Sequence, residues 1–194
     1  FTAAETLRTY PGIDLIAMGE GEDTIEELVN TRFKTTLLPH IRGIAFRSGA
    51  EVQVNEARPL IPDLDRLPLP ARHLLPLSRY RALGYPISIV TGRGCPYECI
   101  FCQGRRMVGK KVRHRSAALV VDEIVEIMSY GIDRINIADD LFVSDRKKVR
   151  EVCGEIRRRG LNLTWSAFAR VNTVDRETLE IMKDAGCDSI SFGV

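Results

Sequence analysis

The chain has 194 residues, 44% of them hydrophobic and 28% charged, with a formal net charge of +2 at pH 7. That balance suits an ordinary soluble domain with a sizeable core, and it makes no electrostatic case for nucleic acid. No apolar run reaches membrane-spanning length, no signal peptide is visible, and five cysteines with three clustered do not read as a disulfide scaffold. The start at Phe1 without a methionine and the end at Val194 inside an apolar run suggest an incomplete protein, whose missing start could have carried a signal.

The elements begin with Asp14 to Met18, which reads as a short strand. A Gly19-Glu-Gly-Glu22 turn follows, and Asp23 or Thr24 can cap a helix with Ile25, Leu28 and Val29 on one face. Ile41 to Phe46 and Glu51 to Val54 alternate as strands, joined as a hairpin at Ser48-Gly49-Ala50. Pro59, Pro62, Pro68, Pro70 and Pro76 then punctuate an extended segment that excludes a long helix. His40 and His73 have no evident ligand partners nearby.

Everything later depends on Tyr85 to Gln103. Ile87, Ile89 and Val90 form a β-branched run that predicts a buried strand, and Thr91-Gly92-Arg93-Gly94 breaks it. Cys95, Cys99 and Cys102 follow, with gaps of three and two residues. Three thiolates on one loop can hold three irons of a [4Fe–4S] cluster and leave the fourth iron open to a substrate or cofactor. Familiar ferredoxin spacings close every iron, and structural zinc closes a tetrahedron with four ligands. Structural zinc or chance spacing is the plainer alternative. Reduced thiols are needed for a cluster, which favours a cytoplasmic setting.

Past the cysteines lies a basic run: Arg105, Arg106, Lys110, Lys111, Arg113, His114 and Arg115. It reads as a solvated loop or as an anion site. Without aromatics it offers bases no stacking platform, so nucleic acid is not favoured. Ser116 then caps a helix whose apolar positions run from Leu119 to Met128, with Gly131 after it. Arg134 to Ala138 returns to strand period and ends in Asp139-Asp140. Ser144 or Asp145 opens a helix with Val149, Val152, Cys153 and Ile156 on one side. Its end carries Arg157, Arg158 and Arg159, suited to the helix dipole. Leu163 to Ala169 is a strand ending at Arg170, Thr173 or Asp175 opens a helix, and Ser189 to Val194 starts a fourth strand. This alternation predicts successive βα units on a parallel sheet, with all strand C-terminal ends on one side. The cysteine loop, Asp139-Asp140 and Arg170 should meet there.

The string R-G-C-P-Y-x-C-x-F-C resembles the radical S-adenosylmethionine (SAM) superfamily, in its branch with an N-terminal cobalamin-binding domain. The implied fold is α/β: a partial (βα) radical SAM barrel, truncated short of the family's six strands. The tail of a Rossmann-like cobalamin-binding domain and a linker would precede it. On that reading residues 1–30 are the cobalamin-domain remnant, 31–84 the hairpin and Pro-rich linker, and 85–194 the N-terminal part of the barrel. P-G-I-D-x-I-x-x-G-E-G-E-x-T resembles the last strand and helix of that domain. The D-x-H-x-x-G loop that supplies a cobalt ligand in many relatives is absent, so cobalamin is expected only in a full-length parent.

The resemblance also implies roles. Cys95, Cys99 and Cys102 would ligate iron, and Phe101 would pack beside the SAM adenine. Relatives often show F-x-D-D-x-F, whose latter part matches Asp139, Asp140 and Phe142. One aspartate would hold the SAM ammonium while the other orients it or caps a loop. Arg170 would take the SAM carboxylate, with Ser166 a weaker polar candidate and Trp165 turned outward against helices. The implied activity is reductive cleavage of SAM to a 5′-deoxyadenosyl radical, serving cobalamin-dependent methylation or oxidative cyclisation of a small molecule. A flavodoxin- or ferredoxin-like reductant would supply the electron. A fragment lacking strands should do little catalysis alone. The alternatives are a methylthiotransferase acting on tRNA or protein, and a zinc-stabilised nucleic-acid-binding module.

Overall fold

The computed structural model describes residues 2–193, and the chain divides into two compact units, Phe1–Ile61 and Pro62–Val194.

The first unit holds helix α1 (Ala3–Thr9), strand β1 (Leu15–Ala17), helix α2 (Glu22–Asn30) and strands β2 (Ile44–Ser48) and β3 (Glu51–Val54). The strands form an antiparallel sheet in the order β1-β2-β3, with Leu15 opposite Phe46 and Ala45 opposite Val54. Leu28, Leu38, Ile41, Ile44 and Phe46 make its core. Two departures from the sequence reading have physical causes. Helix α2 starts after Gly21, one residue ahead of Asp23; Thr24 is no cap, because it is buried and receives the Arg58 Nε–H at 3.0 Å. Strand β2 starts at Ile44, beyond Gly43, whose φ of +74° breaks the extended run from Ile41. Helix α1 was not foreseen. Its seven residues bury only Leu7, too little for a periodic signal.

The second unit is a run of βα units. Helix α3 (Leu77–Leu83) leads into β4 (Ile87–Ile89), the short pair β5 (Gly92–Arg93) and β6 (Arg113–His114), and between them α4 (Gly104–Val108). Helix α5 (Ala117–Ser129), β7 (Arg134–Ile137), α6 (Arg146–Arg158), β8 (Thr164–Arg170), α7 (Arg176–Asp184) and β9 (Cys187–Gly193) follow. The four-stranded sheet has the order β4-β7-β8-β9, parallel throughout. Ser116 caps α5, Asp145 accepts the Lys147 N–H at 2.8 Å, and Asp175 accepts the Thr178 N–H at 2.8 Å. Each satisfies an end that a helix leaves unbonded. Val194 lies outside the described residues.

Alternation along β8 separates two faces. Trp165, Ala167 and Ala169 are buried, whereas Ser166, Phe168 and Arg170 lie on the opposite face. The buried face joins Ile87, Ile89, Ile135 and Ile137 with apolar residues of α5, α6 and α7 in one core, Cys153 included. Trp165 meets Phe142 edge to face at 5.5 Å between centroids and donates its indole N–H to the Ala185 carbonyl at 2.8 Å. The register sets Ile89, Ile137 and Ala167 side by side. Whatever follows them therefore emerges along one edge of the sheet.

Candidate active site at the strand ends

The turn after β4 is fixed from the neighbouring strand. Asp139, two residues past β7, accepts the Thr91 backbone N–H at 2.6 Å and its hydroxyl at 2.5 Å. Burial pushes the Asp139 carboxyl up to about 6, and it outweighs the opposing bonds from Thr91 and Gly92. The chain then passes between β5 and β6. Gly94 has a φ of +117°, and a Cβ there would land on the Lys111 carbonyl, so only glycine fits the crossing. The Cys95 N–H donates to the Gly109 carbonyl at 3.0 Å, and the Cys102 N–H to the Cys99 carbonyl at 3.1 Å. These bonds make a small closed loop carrying all three clustered cysteines.

A cavity of about 370 Å³ opens at this edge. Cys95, Cys99 and Cys102 line it together with Phe101, Asp139, Asp140 and Arg170. The structure thus brings together every site residue expected from the sequence except Ser166. Ser166 lies deeper on the same sheet face and donates its hydroxyl to Asn136 Oδ1 at 3.0 Å. Asn136 in turn donates to Ser88 Oγ at 3.1 Å, which gives a polar row across β4, β7 and β8.

The two aspartates differ. Asp139 is buried and committed to Thr91, whereas Asp140 is exposed. Asp140 also stands beside the cysteines: a Cβ added at Gly104 would lie 3.0 Å from Asp140 Oδ1 and 3.4 Å from Cys102 Sγ. The Gly104 N–H itself points at Cys102 Sγ, at 3.3 Å. Across the cavity Arg170 donates from Nη1 to Cys99 Sγ at 3.1 Å, and its guanidinium sits 4.3 Å from the Tyr97 ring centroid. Arg170 Nε is buried without a hydrogen-bond partner. Phe101 is 80% exposed on the loop.

Several contributors were missed by sequence reasoning. Thr91 looked like a turn residue, and Tyr97 stood in the cysteine string without a role of its own. No local signal ties Thr91 to Asp139, because they are 48 positions apart. A second missed group supports the sheet from below: buried Glu123 takes Arg72 at 2.5 Å and also pairs with Arg115. The signal available was a glutamate on the apolar stripe of α5, between Val120 and Ile124. The basic run is partly spent inside the unit. Arg113 donates to the Val108 carbonyl at 2.8 Å, Arg115 goes to Glu123, and Arg105 pairs with Glu98.

The description of the radical SAM superfamily matches residues 89–194, more than half of the chain and the whole of this edge. The chain belongs to that superfamily. An uncharacterized methyltransferase of Pyrococcus horikoshii is 37% identical over 100% of the chain, which spans 43% of that relative. The anaerobic magnesium-protoporphyrin IX monomethyl ester cyclase of Cereibacter sphaeroides is 33% identical over 100% of the chain, which spans 33% of it. Among solved structures, TsrM of Kitasatospora setae, a radical SAM methyltransferase with cobalamin and a [4Fe–4S] cluster bound, has a TM-score of 0.81 at 24% identity. That match covers 99% of this chain and 40% of TsrM. The parallel βα sheet is therefore the radical SAM fold, and the chain spans less than half the length of these relatives.

Radical SAM proteins use a [4Fe–4S] cluster and SAM. Among the described residues no three His, Cys, Asp or Glu side chains converge on a point that would hold one metal ion. A cubane makes a different demand, one thiolate for each of three irons, spread along a wall. The cysteine loop lines one wall of the cavity and offers two sulfurs already facing N–H donors. That donor set fits the cluster. Among the described residues no helix is long and apolar enough to cross a membrane.

Proposed function

We propose that Cys95, Cys99 and Cys102 hold a [4Fe–4S] cluster with one open iron and that the strand ends beside them bind SAM. The observation that carries this is one cavity lined by all three thiols and by opposite charges, Asp140 and Arg170. Asp140 is free to take the SAM ammonium, while Asp139 holds the Thr91 turn that launches the loop. The unpartnered Nε edge of Arg170 suits the SAM carboxylate through a bidentate fork. Phe101 supplies an apolar face for the adenine, and Ser166 belongs to the deeper polar row. When bound, the cluster supplies the electron that cleaves SAM to a 5′-deoxyadenosyl radical. The protein's own task is to position SAM and exclude water from the cavity.

In the whole protein this chemistry serves cobalamin-dependent methylation or oxidative cyclisation of a small molecule. The methyltransferase and cyclase relatives and cobalamin-bound TsrM support that choice. Residues 1–30 then form the tail of a cobalamin-binding domain, 31–84 a hairpin and linker, and 85–194 the first part of the barrel. A flavodoxin or ferredoxin in a reducing cytoplasm would supply electrons. Anaerobic reconstitution tests the reading. A brown protein with about four irons and an electron paramagnetic resonance signal that changes when SAM is added is expected. A colourless protein holding one zinc would overturn it.

A further inference from the structure

We propose that Arg170 sets the reduction potential of the cluster by donating its Nη1–H to the sulfur of Cys99. The proposal rests on the cluster reading above and adds a second role to a residue already assigned to SAM. The two roles use different edges of one guanidinium. Nη1 lies 3.1 Å from Cys99 Sγ, whereas the buried, unpartnered Nε belongs to the opposite edge of the fork. The sulfur contact therefore leaves Nε uncommitted.

The donor is fixed from several sides. Arg170 ends β8, which pairs with β7 at Arg134 to Ile137 and with β9 without interruption from Ser166 to Arg170. Thr173 Oγ1 accepts the Arg170 N–H at 3.2 Å and donates back to the Arg170 carbonyl at 2.9 Å. The guanidinium also stacks on Tyr97, two residues ahead of the sulfur it serves.

The electrostatic consequence has a definite sign. In the reduction step the oxidised cluster takes one electron from an external low-potential one-electron donor. No bond breaks and no proton moves. The reduced cluster carries one more negative charge. A fixed cation with an N–H aimed at a ligand sulfur stabilises that state more than the oxidised one. Hydrogen bonds to sulfur and net charge are the protein's main levers on such potentials. Arg170 therefore raises the potential and makes reduction easier.

The test is a redox titration of the full chain, reconstituted anaerobically and kept free of SAM, comparing wild type with Arg170→Ala, Arg170→Gln and Arg170→Lys. The reduction equilibrium of Arg170→Ala should fall about tenfold, which is ~59 mV for one electron. Arg170→Gln, which keeps a donor without the charge, should fall less. Arg170→Lys should stay nearest to wild type. An unchanged midpoint in Arg170→Ala at wild-type iron content would overturn the proposal. If Arg170→Ala loses iron, Arg170→Gln decides; loss of iron from both would make Arg170 a brace for the loop and also overturn it. Failure of wild type itself to bind about four irons would sink the functional reading, an outcome distinct from an unshifted midpoint.

Discussion

The cysteine loop and the sheet edge beside it share one cavity but are built differently. The loop from Cys95 to Cys102 exposes Ile100 completely and Phe101 to 80%, and is stitched by a few backbone bonds. The edge stands on β7 and β8, whose other face is buried against three helices. The three cysteines thus sit on an exposed loop, and the charges sit at the end of a packed sheet. Removing a loop side chain should abolish binding and spare the fold. Removing a side chain from the buried face of the scaffold should instead cost stability.

The largest effect is expected in the loop. Replacing Cys95, Cys99 or Cys102 by alanine should abolish stable iron binding while leaving the melting temperature of the metal-free protein unchanged. Cys153→Ala and Cys187→Ala should load iron normally, since burial pushes these thiols up to about 12 and about 11, away from thiolate chemistry. Iron content after anaerobic reconstitution decides it, and normal loading of Cys99→Ala would break the ligand assignment. On the scaffold, Trp165→Ala should cost about 3–5 kcal/mol by leaving a cavity against Phe142 and an unpaired Ala185 carbonyl. Urea unfolding would measure it. A loss below ~1 kcal/mol would mean that the sheet edge is no more rigid than the loop.

A third expectation concerns Asp139, which bridges the two regions. Its folded carboxyl lies near 6 against an ordinary 3.8, so between those values the folded state holds a proton that the unfolded state has released. Stability should therefore fall as pH rises through that window, by roughly 3 kcal/mol in all. Asp139→Asn should flatten the dependence, as seen in unfolding free energies measured from pH 4 to pH 6.5. An identical slope in both proteins would mean that the Thr91 bonds, not burial, govern this carboxyl.

How much of this was legible in the sequence follows the range of each interaction. The βα alternation, the Ser116 cap and the outward Trp165 were readable because periodicity and capping act over a few residues. Three cysteines on one loop were readable for the same reason. The division of labour between Asp139 and Asp140 was not. It depends on Thr91, 48 positions earlier, and on a register that only the folded sheet sets. Arg170 could be placed at a strand end from the pattern of β8, but its contact with Cys99 spans 71 positions. Helix α4 was hidden because its five residues, Gly-Arg-Arg-Met-Val, bury nothing completely.

The smallest predicted effect is the one that separates the adjacent aspartates. If Asp140 holds the SAM ammonium, Asp140→Asn keeps the size and a hydrogen-bond acceptor but removes the charge. Asp140 lies at the exposed side of the cavity, where water competes for the contact, so the loss should sit near the low end for charged hydrogen bonds. About tenfold in SAM affinity, ~1.4 kcal/mol, is expected, with iron content unchanged. Asp139→Asn should leave SAM affinity within about threefold, ~0.7 kcal/mol, because its carboxylate is turned to Thr91 and does not need to reach the ligand. Titrating SAM into the reconstituted variants reads both numbers. The opposite ranking would reassign the ammonium to Asp139. It would also require the Thr91 turn to give up its anchor when SAM binds, so that the loop and the scaffold edge would have to move together.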